Sequence, residues 1–117
     1  MKGSDLLEDN RTIEVLFKKP NRHPKLVKIN NTLEEMQELV GGLIDIVPYN
    51  DVFIIKNARA KKHKLKPNVK INEMLIYGSF FIVGNDEIKC DFISLSKEQI
   101  KKYKKEITKL RQEEMEM

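Results

Sequence analysis

From Thr12 to Phe17 the chain reads TIEVLF, with Ile13, Val15 and Phe17 alternating against Thr12, Glu14 and Leu16. That period of two belongs to a half-buried strand. KLVKI (25–29) repeats the pattern after KKPNRHPK, whose two prolines and asparagine predict a turn, so the chain is expected to open with a β-hairpin. The period then changes. Leu33, Met36, Leu39 and Val40 recur at helical spacing, Asn31 or Thr32 stands ready as the N-cap with Glu34 or Glu35 three residues on, and Gly41-Gly42 closes the run. A helix over about 32–41 follows. LIDIVP (43–48) and DVFIIKN (51–57) read as strands joined by a tight turn at Tyr49-Asn50. LIYGSFFIVG (75–84) reads as a buried strand or bent strand pair with Gly78 at the irregularity, and IKCDFI (88–93) returns after an Asn85-Asp86 turn. From Ser96 onward Ile100, Tyr103, Ile107 and Leu110 line one stripe of a long helix over about 96–113, with Ser96 and Gln99 as its capping box.

Together these elements predict an α+β fold: an antiparallel or mixed sheet of about five to six strands, one central helix and one long C-terminal helix. A length of 117 residues implies a single domain, with its core over about 12–95 and the closing helix over 96–117. The polar lead-in, residues 1–11, reads as a loose segment or a short helix through Asp5–Asp9. Cys90 is the single cysteine, which excludes an intramolecular disulfide and points to a reducing cytoplasm. The N-terminus lacks the apolar region of a signal peptide, and no apolar run approaches the roughly 18 residues of a membrane span. The expectation is a cytoplasmic protein without a membrane partner.

Charge changes the picture at one place. Residues 56–70, KNARAKKHKLKPNVK, hold seven Lys or Arg and no Asp or Glu, while the whole chain nets +4, so the rest sums to −3. A loop of this kind is a solvated surface or a phosphate-binding segment. Its lysine-rich composition with one arginine favours diffuse phosphate attraction over bidentate base reading. In the phosphate-binding reading Arg59, Lys61, Lys62 and Lys64 pair with phosphate, Asn57 and Asn68 position the ligand, and Tyr77 stacks on a base. No aromatic residue interrupts the segment itself, and Tyr49, Phe53, Phe80 and Phe81 are more economically read as core.

Enzyme signatures are absent. The chain has no G-x-x-x-x-G-K-[ST] loop and no G-x-S-x-G elbow. His23 and His63 have no cysteine or carboxylate at metal-ligand spacing, a Cys90–His63 dyad has no supporting pattern, and Asp45, Asp51, Asp86 and Asp91 form no spaced carboxylate pair. No catalytic residue, metal or cofactor is expected, and Cys90 is assigned to a strand.

INNTLEEMQELVGGLIDIVP, Asn57, LKPN (65–68), IYGSFFIVG and ISLSKEQI together resemble a small domain family of unknown function found in bacteriophages, prophages and other mobile elements. The similarity spans most of residues 12–103. Leu43, Ile44 and Asp45 stand where the family usually has Y-I-E. Ala58 to Lys62 replaces its usual acidic residues and Gly-Lys, and Val69 replaces an arginine. The resemblance implies an α+β fold and an accessory gene product with no catalytic residues to transfer. It sets the basic segment apart as a specialisation of this chain. By analogy with small phage proteins that sequester nucleotide signals, the leading expectation is a non-enzymatic protein that captures a nucleotide-like anion in a host cytoplasm. Lysines of one protomer make an incomplete cage, so a homo-oligomer is expected. Two alternatives stand beside it: nucleic-acid binding through 56–70, and inhibition of a partner protein through Ile100, Tyr103 and Ile107 on the closing helix.

Overall fold

The computed structural model describes residues 11–115, with side chains through Leu110; the expected lead-in helix at residues 5–9 lies outside the described residues. Along the chain come β1 (Thr12–Lys18), β2 (Lys25–Asn30), α1 (Leu33–Val40), β3 (Ile44–Tyr49), β4 (Val52–Asn57), β5 (Pro67–Ile71), β6 (Met74–Tyr77), β7 (Phe80–Asp86), β8 (Asp91–Ile93) and α2 (Lys97–Met115). Five strands form a sheet in the order β2-β1-β7-β4-β3, and β8 joins it as a sixth beside β7. Every pairing is antiparallel. The fold is α+β, as the pattern predicts.

β7 is the centre. β4 pairs with one of its edges over Phe80–Gly84, while β1 and then β8 divide the other. Its side chains alternate between two apolar layers. Phe81 and Val83 face Ile13, Val15, Ile29, Ile55 and the α1 residues Met36 and Val40. Phe80 and Ile82 face Val69 and Ile71 of β5, Ile76 of β6, and Tyr103 and Ile107 of α2. Each of these side chains contributes about 1.5–3 kcal/mol by leaving water. Gly84 is where the chain crosses closest to β7: a Cβ there would lie 2.8 Å from the carbonyl oxygens of Ile93 and Ser94.

Several local expectations shift. The turn between β3 and β4 is Asn50-Asp51, since Tyr49 pairs with Val52, and Asn50 takes the positive φ of 53°. β5 is a strand that the lysine-rich pattern hides: Asn68, Val69 and Ile71 are buried, while Pro67 and Lys70 are exposed. It pairs with β6 as a separate hairpin, so LIYGSFFIVG is a bent pair of strands that break at Gly78, φ 79°. Cys90 is not in a strand; it lies exposed in the turn before β8 with φ 52°, and Ile88 in that turn is 94% exposed.

The helix caps follow their signals. Thr32 accepts from the Glu35 amide at 3.2 Å, while the Glu35 carboxylate turns to Asn30 instead of closing the box. Ser96 and Gln99 make a reciprocal box, with bonds of 2.9 and 3.1 Å. α2 docks on its own sheet, and Tyr103 is 0% and Ile107 1% exposed. The closing helix therefore does not offer Tyr103 and Ile107 to a partner. They are core because the face of β7 that carries Phe80 and Ile82 would otherwise lie bare.

The β3–β4 turn clamps α2. The Tyr103 hydroxyl donates to Asp51 Oδ1, Gln99 Nε2 donates to Asp51 Oδ2 at 2.9 Å, and the Tyr49 hydroxyl donates to Glu106 at 2.9 Å. The Tyr49 and Tyr103 rings lie 5.5 Å apart. The bond from Tyr103, followed by that from Gln99, holds the Asp51 carboxyl below its usual 3.8. Burial, then the bond to Asp51, pushes Tyr103 up to about 12. Burial, then the bond to Glu106, also raises Tyr49. A lowered carboxyl stabilises the fold above its unfolded value, and that contribution fades as pH falls through the native value. Replacement of Asp51 by Asn is expected to cost about 1 kcal/mol at neutral pH, tempered by solvent exposure, and to flatten the loss of stability below pH 3.8. Urea midpoints of both proteins measured from pH 6 downward check this; parallel pH profiles would contradict it.

Candidate functional site

Lys18 of β1, Phe80 of β7 and Lys56 of β4 stand in one row across the sheet. β1 and β4 run in the same direction, so both leave the sheet at this end. β1 leads into the turn at 19–24 and β4 into the loop at 58–66. Between Glu14 and Glu34, and again between Asp51 and Glu73, the sequence has no acidic residue. Strand register thus brings two acid-free basic segments, remote in sequence, to the same end of the sheet. The opposite end holds Asp51 and Glu87 in its turns and Asp86 at the end of β7.

Buried asparagines build this end. Asn57 Nδ2 donates to the Val40 carbonyl at 3.0 Å and its Oδ1 accepts from the Arg59 amide at 2.7 Å. It satisfies an orphan carbonyl of α1 and starts the basic loop. The glycine pair before it serves the same joint. Gly41 takes the left-handed conformation that closes α1, and a Cβ on Gly42 would lie 3.1 Å from Asn57 Nδ2. Asn68 Nδ2 donates to the carbonyls of Lys18, at 3.1 Å, and Gly78, at 2.9 Å. Its Oδ1 accepts from Lys18 Nζ at 2.7 Å, and that amine, 1% exposed, also donates to the Lys19 carbonyl. Asn57 and Asn68 therefore engage their amide groups with backbone and lysine. Their burial leaves an unpaired amide group too costly.

The loop between them closes as a helix end does. Leu65 N–H donates to the Ala60 carbonyl and Lys64 N–H to the Lys61 carbonyl, with Lys64 itself at φ 59°. These are the two bonds of a Schellman motif, with lysine where glycine is usual. Ala60 is buried as the anchor. Arg59, Lys61, Lys62 and Lys64 are all exposed. Lys61 does meet Tyr77 and Asn57 along an open cavity of about 500 Å³. Lys56, beside it, is neutralised by Asp45 at 3.0 Å, and Lys70 sits 3.6 Å from Glu73. Arg59, Lys61, Lys62, Lys64 and Lys66 make no ion pair among the described residues.

Lys19, Arg22, His23 and Lys25, in the turn before β2 and at its start, are not singled out by the sequence pattern. The signal was the missing acid between Glu14 and Glu34, the same signal that marked 56–70. A third basic surface, Lys101, Lys104, Lys105 and Lys109, lines the outer side of α2. Ile100, half-buried, packs with Tyr103 and Ile107 toward the sheet, and Lys102 lies 5.1 Å from the Tyr103 ring centroid. No cluster of His, Cys, Asp and Glu suited to a metal occurs among the described residues, and none of their helices is long and apolar enough to cross a membrane.

A family model described as a domain of unknown function (DUF3846) matches residues 13–108. Neither a curated protein nor a solved structure matches the chain.

The two kinds of residue at this end separate by mutation. Asn57→Ala strands the Val40 carbonyl and the Arg59 amide and is expected to cost about 1–3 kcal/mol. A combined Arg59→Ala, Lys62→Ala, Lys64→Ala variant is expected to stay within about 0.5 kcal/mol of wild type for each exposed change. Chemical denaturation midpoints check both; a large loss in the triple variant would show that the exposed cations hold the fold.

Proposed function

The chain belongs to the DUF3846 domain family, and from that premise we propose that it is a non-enzymatic accessory protein that binds nucleic acid through the basic end of its sheet. The observation that carries this reading is the register of β1 and β4 against β7, which gathers the cations of 19–25 and 58–66 at one end. Exposed cations shared between two segments suit a line of phosphates, each neutralised separately, better than one enclosed anion. The phage and prophage setting implied by the resemblance, and a cytoplasmic site of action, belong to this same reading. An oligomer would add valency to it.

Capture of a nucleotide-like small anion is the second reading, and the cavity shared by Lys61 and Tyr77 favours it. That cavity offers a single unpaired cation, and the asparagines expected to help are occupied. Partner inhibition through α2 has less support, since Tyr103 and Ile107, two of its three expected contacts, are buried in the core.

Binding of a fluorescently labelled oligonucleotide by anisotropy tests the proposal. Neutralising about five phosphates of a single strand lowers affinity roughly hundred-fold between about 50 and 200 mM salt. Alanine at Lys19, Arg22 and Lys25, or at Arg59, Lys62 and Lys64, is expected to reduce the logarithmic salt slope by about 2 in each case. Alanine at Lys101, Lys104 and Lys105 on α2 leaves it unchanged. No binding, or a flat slope, would sink the proposal, and a slope that only the α2 variant lowers would move the surface elsewhere.

A further inference from the structure

α1 has eight residues, about 12 Å of helix, and crosses its face of the sheet toward β4, β3 and β7. The corner of that face over the β1–β2 hairpin is left uncovered. There an open groove of about 750 Å³ runs along the hairpin, floored by Phe17, Val27 and Leu39. These three side chains are only partly buried against the α1-side core. The rim is cationic: Lys19, Arg22 and Lys25, with His23, line the same groove and no carboxylate does.

We infer that this groove takes a nucleobase of a single-stranded nucleic acid, stacked on Phe17, with the flanking phosphates on Lys19, Arg22 and Lys25. The inference rests on the nucleic-acid reading above and deepens it from phosphate attraction to strand selection. The volume falls in the range of about 300–1,000 Å³ typical of small-molecule sites, so a base with its sugar fits. An apolar floor alone would suit any greasy group, but the three cations at the rim favour one that is anionic at its edge, and the Phe17 ring favours a flat one. The groove stays open to solvent, so a base can enter while remaining attached to its strand. It also lies at the sheet end from which the 58–66 loop emerges, which lets the strand continue from one set of cations to the other. A paired base inside a duplex cannot reach Phe17, so the groove discriminates single from double strands. Base–aromatic stacking of this kind is sequence-tolerant, because every base has a flat face.

The test uses the full chain and three labelled probes of equal length: oligothymidine, a strand of abasic residues, and a duplex. Wild type is expected to bind oligothymidine about 5- to 150-fold more tightly than the abasic strand, the range that stacking of one base supplies. Phe17→Leu keeps an apolar side chain against the core and is expected to erase that preference while the salt slope stays. Should Phe17→Leu fail to fold, the wild-type comparison still decides. Equal affinity of wild type for oligothymidine and the abasic strand overturns base stacking and leaves phosphate binding standing. Tighter binding of the duplex than of oligothymidine also overturns it. Failure to bind any of the three probes removes the underlying nucleic-acid reading as well.

Discussion

The structure depends on β7 being dry on both faces. Phe80, Phe81, Ile82 and Val83 are each at most 1% exposed, and both edges of the strand are paired. A strand of this kind cannot leave one face to water, as many antiparallel sheets do. Two apolar layers must therefore be assembled over it. α1 provides one, with Met36 and Val40. α2 and the β5–β6 hairpin provide the other, with Tyr103, Ile107, Val69 and Ile76. The rest of the chain is arranged by that demand, including the docking of a lysine-rich helix by its narrow apolar stripe.

Covering both faces pushes charge to the ends of the sheet, where turns meet water and lysines stay solvated. The two ends are treated differently. At one, Asp51 receives hydrogen bonds from Tyr103 and Gln99 and ties the β3–β4 turn to the start of α2. At the other, Asn57 and Asn68 supply the hydrogen bonds that backbone alone cannot make where α1, β1, β5 and β7 converge. Those asparagines are why exposed cations on two irregular segments have a firm base. Binding surfaces are commonly loops held by a rigid scaffold. Here the loops rest on amide side chains locked into carbonyls, and Arg59, Lys61, Lys62 and Lys64 make no ion pair among the described residues.

The helices, the first hairpin, the Ser96–Gln99 capping box and the central strand were legible because each depends on neighbours a few residues apart. Ser96 and Gln99 meet because a helix turn brings residues three apart together, and Ile13 and Val15 share a face because a strand alternates. β5 was not legible. Its buried Val69 and Ile71 are interrupted by Lys70 and preceded by proline and lysines, so burial there is imposed by α2 and β7 and not by local pattern. The site was legible in part. The basic stretch 56–70 stood out in composition, but Asn57 and Asn68, which looked available, have their amide groups engaged inside.

The sequence by itself determined the α+β class, most element boundaries within a few residues and the concentration of positive charge in one loop. Tertiary structure alone decided that this charge has company. The antiparallel register of β1 and β4 against β7 carries Lys19, Arg22 and Lys25 to the same end as Arg59, Lys61, Lys62 and Lys64. The short reach and direction of α1 leave Phe17 partly bare beside them. Neither fact has a local signal, because the pairing of β1 and β4 with β7, far along the chain, is chosen by the shared core.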